Sequence, residues 1–139
     1  HQGSGTVANQ DWVYSLTEEG LKKSACRLPN PVRGLSAVAV SHRLIYLGGG
    51  YVSDEVGFTA KAFLFDTETE TLTTAVALPI VGMVHLTSDG HHVYCLGGED
   101  AKKHRSNKVW KVRVEDLITA STPATTPQTP RAGYGIERR

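Results

Sequence analysis

The sequence predicts an all-β protein assembled from successive four-stranded antiparallel sheets, and three observations predict it. First, the segments "WVYSL", "SAVAV", "LIYL", "KAFLFD", "MVHLT", "HVYCL" and "KVWKVRV" are short and rich in β-branched and aromatic residues, and they are bounded by Gly, Pro, Asn, Asp or Ser. Second, turn signals fall between them at intervals of roughly 8–12 residues. Third, the chain repeats itself: "IYLGGG" at 45–50 returns as "VYCLGG" at 93–98, a spacing of 48.

Taken in order, residues 1–9 read as an N-terminal tail or an expression remnant, since "GSG" is cloning-scar-like and no signal-like apolar run precedes the first strand. The stretch "TEEGLKKSA" at 17–25 carries a capping-type Thr17. Gly20 interrupts it, which favours a turn followed by a strand over a helix. Aligning the two glycine-ended segments sets "SAVAVSHR" beside "MVHLTSDGHH", an apolar strand and a tight polar turn in each case. A polar loop and an aromatic strand then follow, "AFLFD" in one unit and "KVWKVRV" in the other. Upstream, "WVYSLTEEGL" matches "FLFDTETETL" at a shift of 51, placing Tyr14 with Phe65 and Leu21 with Leu72. A period of about 50 with four strands per unit is the signature of a β-propeller blade. The expected full blades span about 31–78 and 79–120, with partial blades on either side.

These features resemble the Kelch-repeat family. "LPNPVRGLSAVAVSHRLIYLGGG" at 28–50 holds Pro31, Arg33 and the terminal glycines in that family's order, and "TPRAGYG" at 129–135 is similar to the opening of a further repeat. The outer-strand Trp of the family is replaced by Leu21 and Leu72, and "LPIVGMVH" has no Arg. The resemblance implies a Kelch-like propeller of which this chain is a part. Eleven candidate strands fall short of the 4–8 blades of a closed ring. The missing blades then come from the remainder of a longer polypeptide or from a second copy, as a homodimer completing a ring. The paired glycines Gly49, Gly50, Gly97 and Gly98 suit strand ends that need positive φ or the near approach of a neighbouring sheet.

Composition narrows function by exclusion. A net charge of +1 makes no electrostatic case for nucleic acid or an anionic membrane, which normally ask for a clustered basic surface, and no apolar run is long enough to span a bilayer as a helix. Cys26 and Cys95 lack partners at metal-ligand spacing and read as small buried hydrophobes, with a disulfide between them as the alternative. His85, His91, His92 and His104 lie close in sequence but in no ligand pattern. His85 reads as a packed inner-strand histidine, and copper at His1 would require the natural chain to begin there. No metal or other cofactor is expected. Nucleophile elbows, phosphate loops and dinucleotide fingerprints are missing from the sequence, and nothing in it names a compartment.

Recognition residues accumulate on loops carried by a rigid scaffold. The rim segments would be 28–34, 50–60, 98–107 and 121–130. Asp54 and Glu55 make one insertion acidic; Lys102, Lys103 and Arg105 make another basic. Arg33 and Arg131 each open an inner strand after a proline, where a guanidinium fork suits either a bound carboxylate or other anion, or a structural pairing with a neighbouring loop carbonyl or acid. These residues predict a non-catalytic module that holds a protein partner. The alternative is a sugar or sialic-acid mutarotase, which the resemblance also allows. It would need an acid–base pair drawn from Arg33, Arg131, Asp54, Glu55, Glu99 and Asp100.

Overall fold

The computed structural model describes residues 9–121 and the backbone of 135–137. Strands β1 (Gln10–Thr17) and β2 (Gly20–Val32) form an antiparallel hairpin, pairing Leu16 with Leu21 and Tyr14 with Lys23. The segment 17–25 is thus a turn and a strand. The expected rim loop at 28–34 is strand as far as Val32, a correction to the sequence reading. Register shifts around Trp12 bulge β1, and Lys23 Nζ and Arg27 Cζ approach the Trp12 ring to 3.2 Å and 4.1 Å from its centroid.

Sheet 1 is an up-and-down antiparallel meander in the order β3 (Ser36–Ala39), β4 (Leu44–Gly48), β7 (Ala62–Asp66) and β8 (Thr71–Thr74). Between β4 and β7 stands a small hairpin, β5 (Tyr51–Ser53) with β6 (Gly57–Phe58). Sheet 2 repeats the plan with β9 (Met83–Ser88), β10 (His92–Ala101) and β12 (Val109–Arg113). The distal part of β10 pairs β11 (His104–Arg105). The outer strand of sheet 2 is β13 (Gly135–Glu137), paired to β12. Its position lies past the expected boundary at 120, and Gly135 borders sheet 2 instead of opening a further unit. The residues before it include helix α1 (Val114–Ser121), where only strand and loop were expected. Glu115 and Asp116 in its first turn suit the positive end of the helix dipole. The mainly antiparallel β fold is as the strand pattern indicates, and among the described residues no sheet closes on itself.

Side chains alternate between the faces of a strand, so register shows which residues meet. Sheet 1 contributes Tyr46, Ala62 and Leu64 to the core, whereas sheet 2 contributes Leu86, Val93, Cys95, Trp110 and Val112. Val93 corresponds in the repeat to Ile45, on the opposite face from Tyr46. The front of sheet 1 therefore packs on the back of sheet 2. The two first strands, β3 and β9, run side by side, and Leu86 N donates to Ser36 Oγ at 3.0 Å across them. Farther out, Leu117 of α1 is fully buried in the same core, and Ser121 Oγ accepts a hydrogen bond from Val76 N at 3.1 Å. The helix thereby joins sheet 2 to the segment leaving sheet 1.

Aspartates organise the strand connections. Asp66 accepts from Arg43 Nε at 2.8 Å and from the backbone of Glu68 and Thr69. The Arg43 guanidinium is the main reason its carboxyl sits at about 2 instead of 3.8. Asp89 is likewise lowered to about 2, chiefly by the backbone N–H of His92 and then of His91. A depressed carboxyl stabilises the fold above its unfolded value and loses that contribution as pH falls through the folded one. Thermal melts should therefore drop in midpoint from pH 4 towards pH 2. The joint Asp66→Asn, Asp89→Asn variant should melt lower at pH 7 and show a shallower drop; parallel curves would refute the assignment.

Both cysteines are free. Cys95 is fully buried, and desolvation pushes its thiol up to about 12. Cys26 is half-buried instead of buried, because the β1–β2 hairpin carries it at the edge of the described structure. Burial raises its thiol pKa as well, with Glu70 adding to the effect.

Candidate binding rim

The two insertions expected to carry recognition are neighbouring hairpins. In the first, Gly49 (φ +74) and Gly50 (φ +102) turn the chain out of β4. A Cβ on Gly49 would lie 2.7 Å from the carbonyl oxygen of Gly82, so that position requires glycine on both conformational and steric grounds. Gly50 N donates to the same oxygen at 2.9 Å, locking the root of the first hairpin to the segment entering sheet 2. Gly97 and Gly98 lie inside β10 and have no positive φ; there the demand is for close approach by neighbouring backbone. Strand β6 lies beside β10, so the two hairpins are neighbours.

Arg33 and Tyr51 exchange backbone hydrogen bonds of 3.1 and 2.8 Å, and the Arg33 guanidinium lies 4.4 Å from the centre of the Tyr51 ring. The Tyr51 hydroxyl donates to Asp54 Oδ1, a bond that raises the phenol's pKa. Phe58 meets the Tyr51 ring edge-on at 5.5 Å. Asn9 Nδ2 donates to the carbonyl of Val52, tying the start of β1 to this hairpin. Glu55 is exposed at the tip, its pKa lowered by its own backbone N–H and by the Ser53 hydroxyl. Arg33 is thus bridged to the hairpin that carries Asp54 and Glu55.

On the second hairpin, Lys102 and Lys103 are exposed at the turn, and Lys103 (φ +61) donates its backbone N–H to Glu99 Oε1 at 3.3 Å. Asp100 contacts His104 Nδ1, the leading cause of its lowered pKa. Arg105 is exposed and pairs in register with Glu99. Arg131 and His1 lie outside the described residues.

His85 is exposed on β9, not packed as expected, because it lies on the face of sheet 2 turned away from the core. Among the described residues no three His, Cys, Asp or Glu side chains gather as a metal site, and no helix is long and apolar enough to cross a membrane. The aromatic part of the first hairpin, Tyr51 and Phe58, was missed in the sequence. The available signal was two rings bracketing an otherwise polar insertion. Exposed Val56, at 65%, adds an apolar tip. In comparisons with known proteins, no family model and no curated protein matches the chain.

Proposed function

We propose that the chain is part of a Kelch-like β-propeller that acts as a non-catalytic binding module, holding a protein partner on the β5–β6 and β10–β11 hairpins. The observation that carries this reading is the front-to-back stacking with equivalent first strands side by side. A face-to-back contact is heterologous, so it can repeat around an axis and leaves an unmatched face at either end. Its consequence is that equivalent loops emerge on a shared rim. That rim presents an acidic tip (Asp54, Glu55) next to a basic one (Lys102, Lys103, Arg105), with Arg33, Tyr51 and Phe58 between strand and tip. Aromatic and Arg anchors within a polar surround suit a protein interface.

The mutarotase alternative asks for an acid and a base converging on one pocket. Asp54 is engaged by the Tyr51 hydroxyl, and Glu99 and Asp100 serve the other hairpin. No observation among the described residues favours that chemistry.

The test compares proteins captured by the immobilised chain and by two tip variants, Asp54→Lys with Glu55→Lys, and Lys102→Glu with Lys103→Glu and Arg105→Glu. A true partner, once purified, should bind roughly tenfold more weakly to at least one variant and lose affinity with added salt. Failure of every captured protein to discriminate would defeat the reading.

A further inference from the structure

Residues 28–35 pass along sheet 1 as a strap. Pro29 and Pro31 stiffen its backbone, Val32 pairs with Gln10 of β1, and Arg33 is bridged to Tyr51. The "LP" at 28–29 returns at 78–79 in the segment that enters sheet 2, yet the two segments lie differently. Gly82 brings the later one down onto β10, where an added Cβ would stand 2.6 Å from the carbonyl oxygen of Glu99. The earlier one carries Val32, fifty residues before Gly82, and spans a hollow instead.

The hollow consists of two adjoining chambers of about 210 and 310 Å³, which share Asn30, Lys61 and Phe63 in their walls. Every wall comes from residues 28–77: the strap, the β5–β6 hairpin and the end of sheet 1 beneath them. The smaller chamber is mainly apolar, with Leu28, Val32 and Leu35 from the strap, Val52 and Val56 from the hairpin and Phe63 from β7. An apolar cavity of about 150 Å³ is enough to take up benzene. The two chambers together fall within the range of about 300–1,000 Å³ usual for small-molecule sites.

The charge at the hollow has one sign. Lys61 borders both chambers and is exposed, which places it at their opening. Among the described residues it enters no ion pair, and no Asp or Glu lines either chamber. Thr59 Oγ accepts from Lys61 N at 3.1 Å, so its hydroxyl proton is left to donate. Asn30 adds an amide to the same walls. An ammonium, a hydroxyl and an amide beside an apolar recess match a ligand whose polar end only accepts hydrogen bonds and carries negative charge.

We propose that this hollow is a binding site for a free monocarboxylate with an apolar body, of the medium-chain fatty acid class. The carboxylate sits on Lys61 and Thr59, and the chain lies under the strap against Phe63 and Val52. The site is independent of what the rim hairpins hold.

The probe is octanoate, titrated calorimetrically into the intact chain, with octanol and octylamine as ligands of the same length and different charge. Octanoate should bind saturably, one molecule per chain, and at least tenfold more tightly than either of the others. Lys61→Met, at an exposed position, should weaken octanoate at least tenfold and leave octanol unchanged, while Lys61→Arg should retain octanoate. Val56→Glu, which sets a like charge in the wall at another exposed position, should also weaken it; each variant should melt as the parent does. Absence of saturable octanoate binding, equal binding of octanol, or full affinity in Lys61→Met would each overturn the proposal. The variant carrying Lys102→Glu, Lys103→Glu and Arg105→Glu should bind octanoate as the parent does. A tenfold loss there would move the anion to the β10–β11 hairpin and overturn the site, whereas loss of a protein partner alone bears only on the rim.

Discussion

Replacing Gly98 by alanine is expected to cost about 3 kcal/mol, at the upper end of what overpacking does in a well-packed interior. A Cβ built there would stand 1.9 Å from the carbonyl oxygen of Met83 and 3.0 Å from its carbonyl carbon. The obstruction is backbone, not the end of a flexible side chain, so β9 must move away from β10. That movement reaches the core, because the same pair of strands carries Leu86, Val93 and Cys95. Gly90→Ala is the control. Its φ is +90, but no atom lies within 4 Å of the added carbon, and the cost is about 1 kcal/mol of left-handed strain. Urea unfolding should show a large fall in midpoint for Gly98→Ala and a small one for Gly90→Ala. Equal falls would mean that the close approach of β9 to β10 is not what position 98 demands.

The contrast between these glycines explains which parts of the molecule were legible. Two glycine pairs stand at equivalent places in the repeat, but only Gly49 and Gly50 follow the end of a strand; Gly97 and Gly98, expected at a strand end, lie inside β10, and the two pairs answer different physical demands. Gly49 and Gly50 turn the chain through positive φ, whereas Gly97 and Gly98 admit neighbouring backbone. A sequence records the requirement for glycine without recording its reason. The strands of both sheets were readable because β-branched and aromatic residues alternate between polar turns. Helix α1 was missed because Val114, Ile118 and Thr119 resemble the preceding strand in composition. The spacing of Val114, Leu117, Ile118 and Ser121 at i, i+3, i+4 and i+7 held the helical signal.

Of the rim, the charges could be placed on insertions because polar runs between strands have nowhere else to go. The stacking of Arg33 on Tyr51 could not be found, since it depends on a backbone bridge between residues eighteen positions apart. Cys26 is a further case. Its strand composition suggested a core position, but core membership requires a neighbouring sheet, and alternation identifies a face without identifying what lies opposite.

Tyr46 shows how much a neighbouring sheet changes the value of the same residue. It and Tyr94 occupy corresponding positions in the repeat, yet Tyr46 is fully buried and Tyr94 half-buried. Sheet 2 covers the front of sheet 1; the described residues place no third sheet on the front of sheet 2. Tyr46→Ala should therefore cost about 4 kcal/mol, through lost burial and the cavity left between the sheets. Tyr46→Phe should cost about 1 kcal/mol, because the carbonyl of Val76 loses a donor while the ring remains. Tyr94→Ala, whose hydroxyl reaches Asp89 at 3.1 Å, should cost less than half of what Tyr46→Ala does. The decisive measurement is the ratio of the two alanine effects in the same urea series. Equal effects would show that the front faces of the two sheets are equally covered in solution, and the asymmetry behind the front-to-back stacking would be lost. If Tyr94→Ala becomes as costly as Tyr46→Ala only at high protein concentration, a second molecule is covering sheet 2, because a concentration-dependent stability reports association.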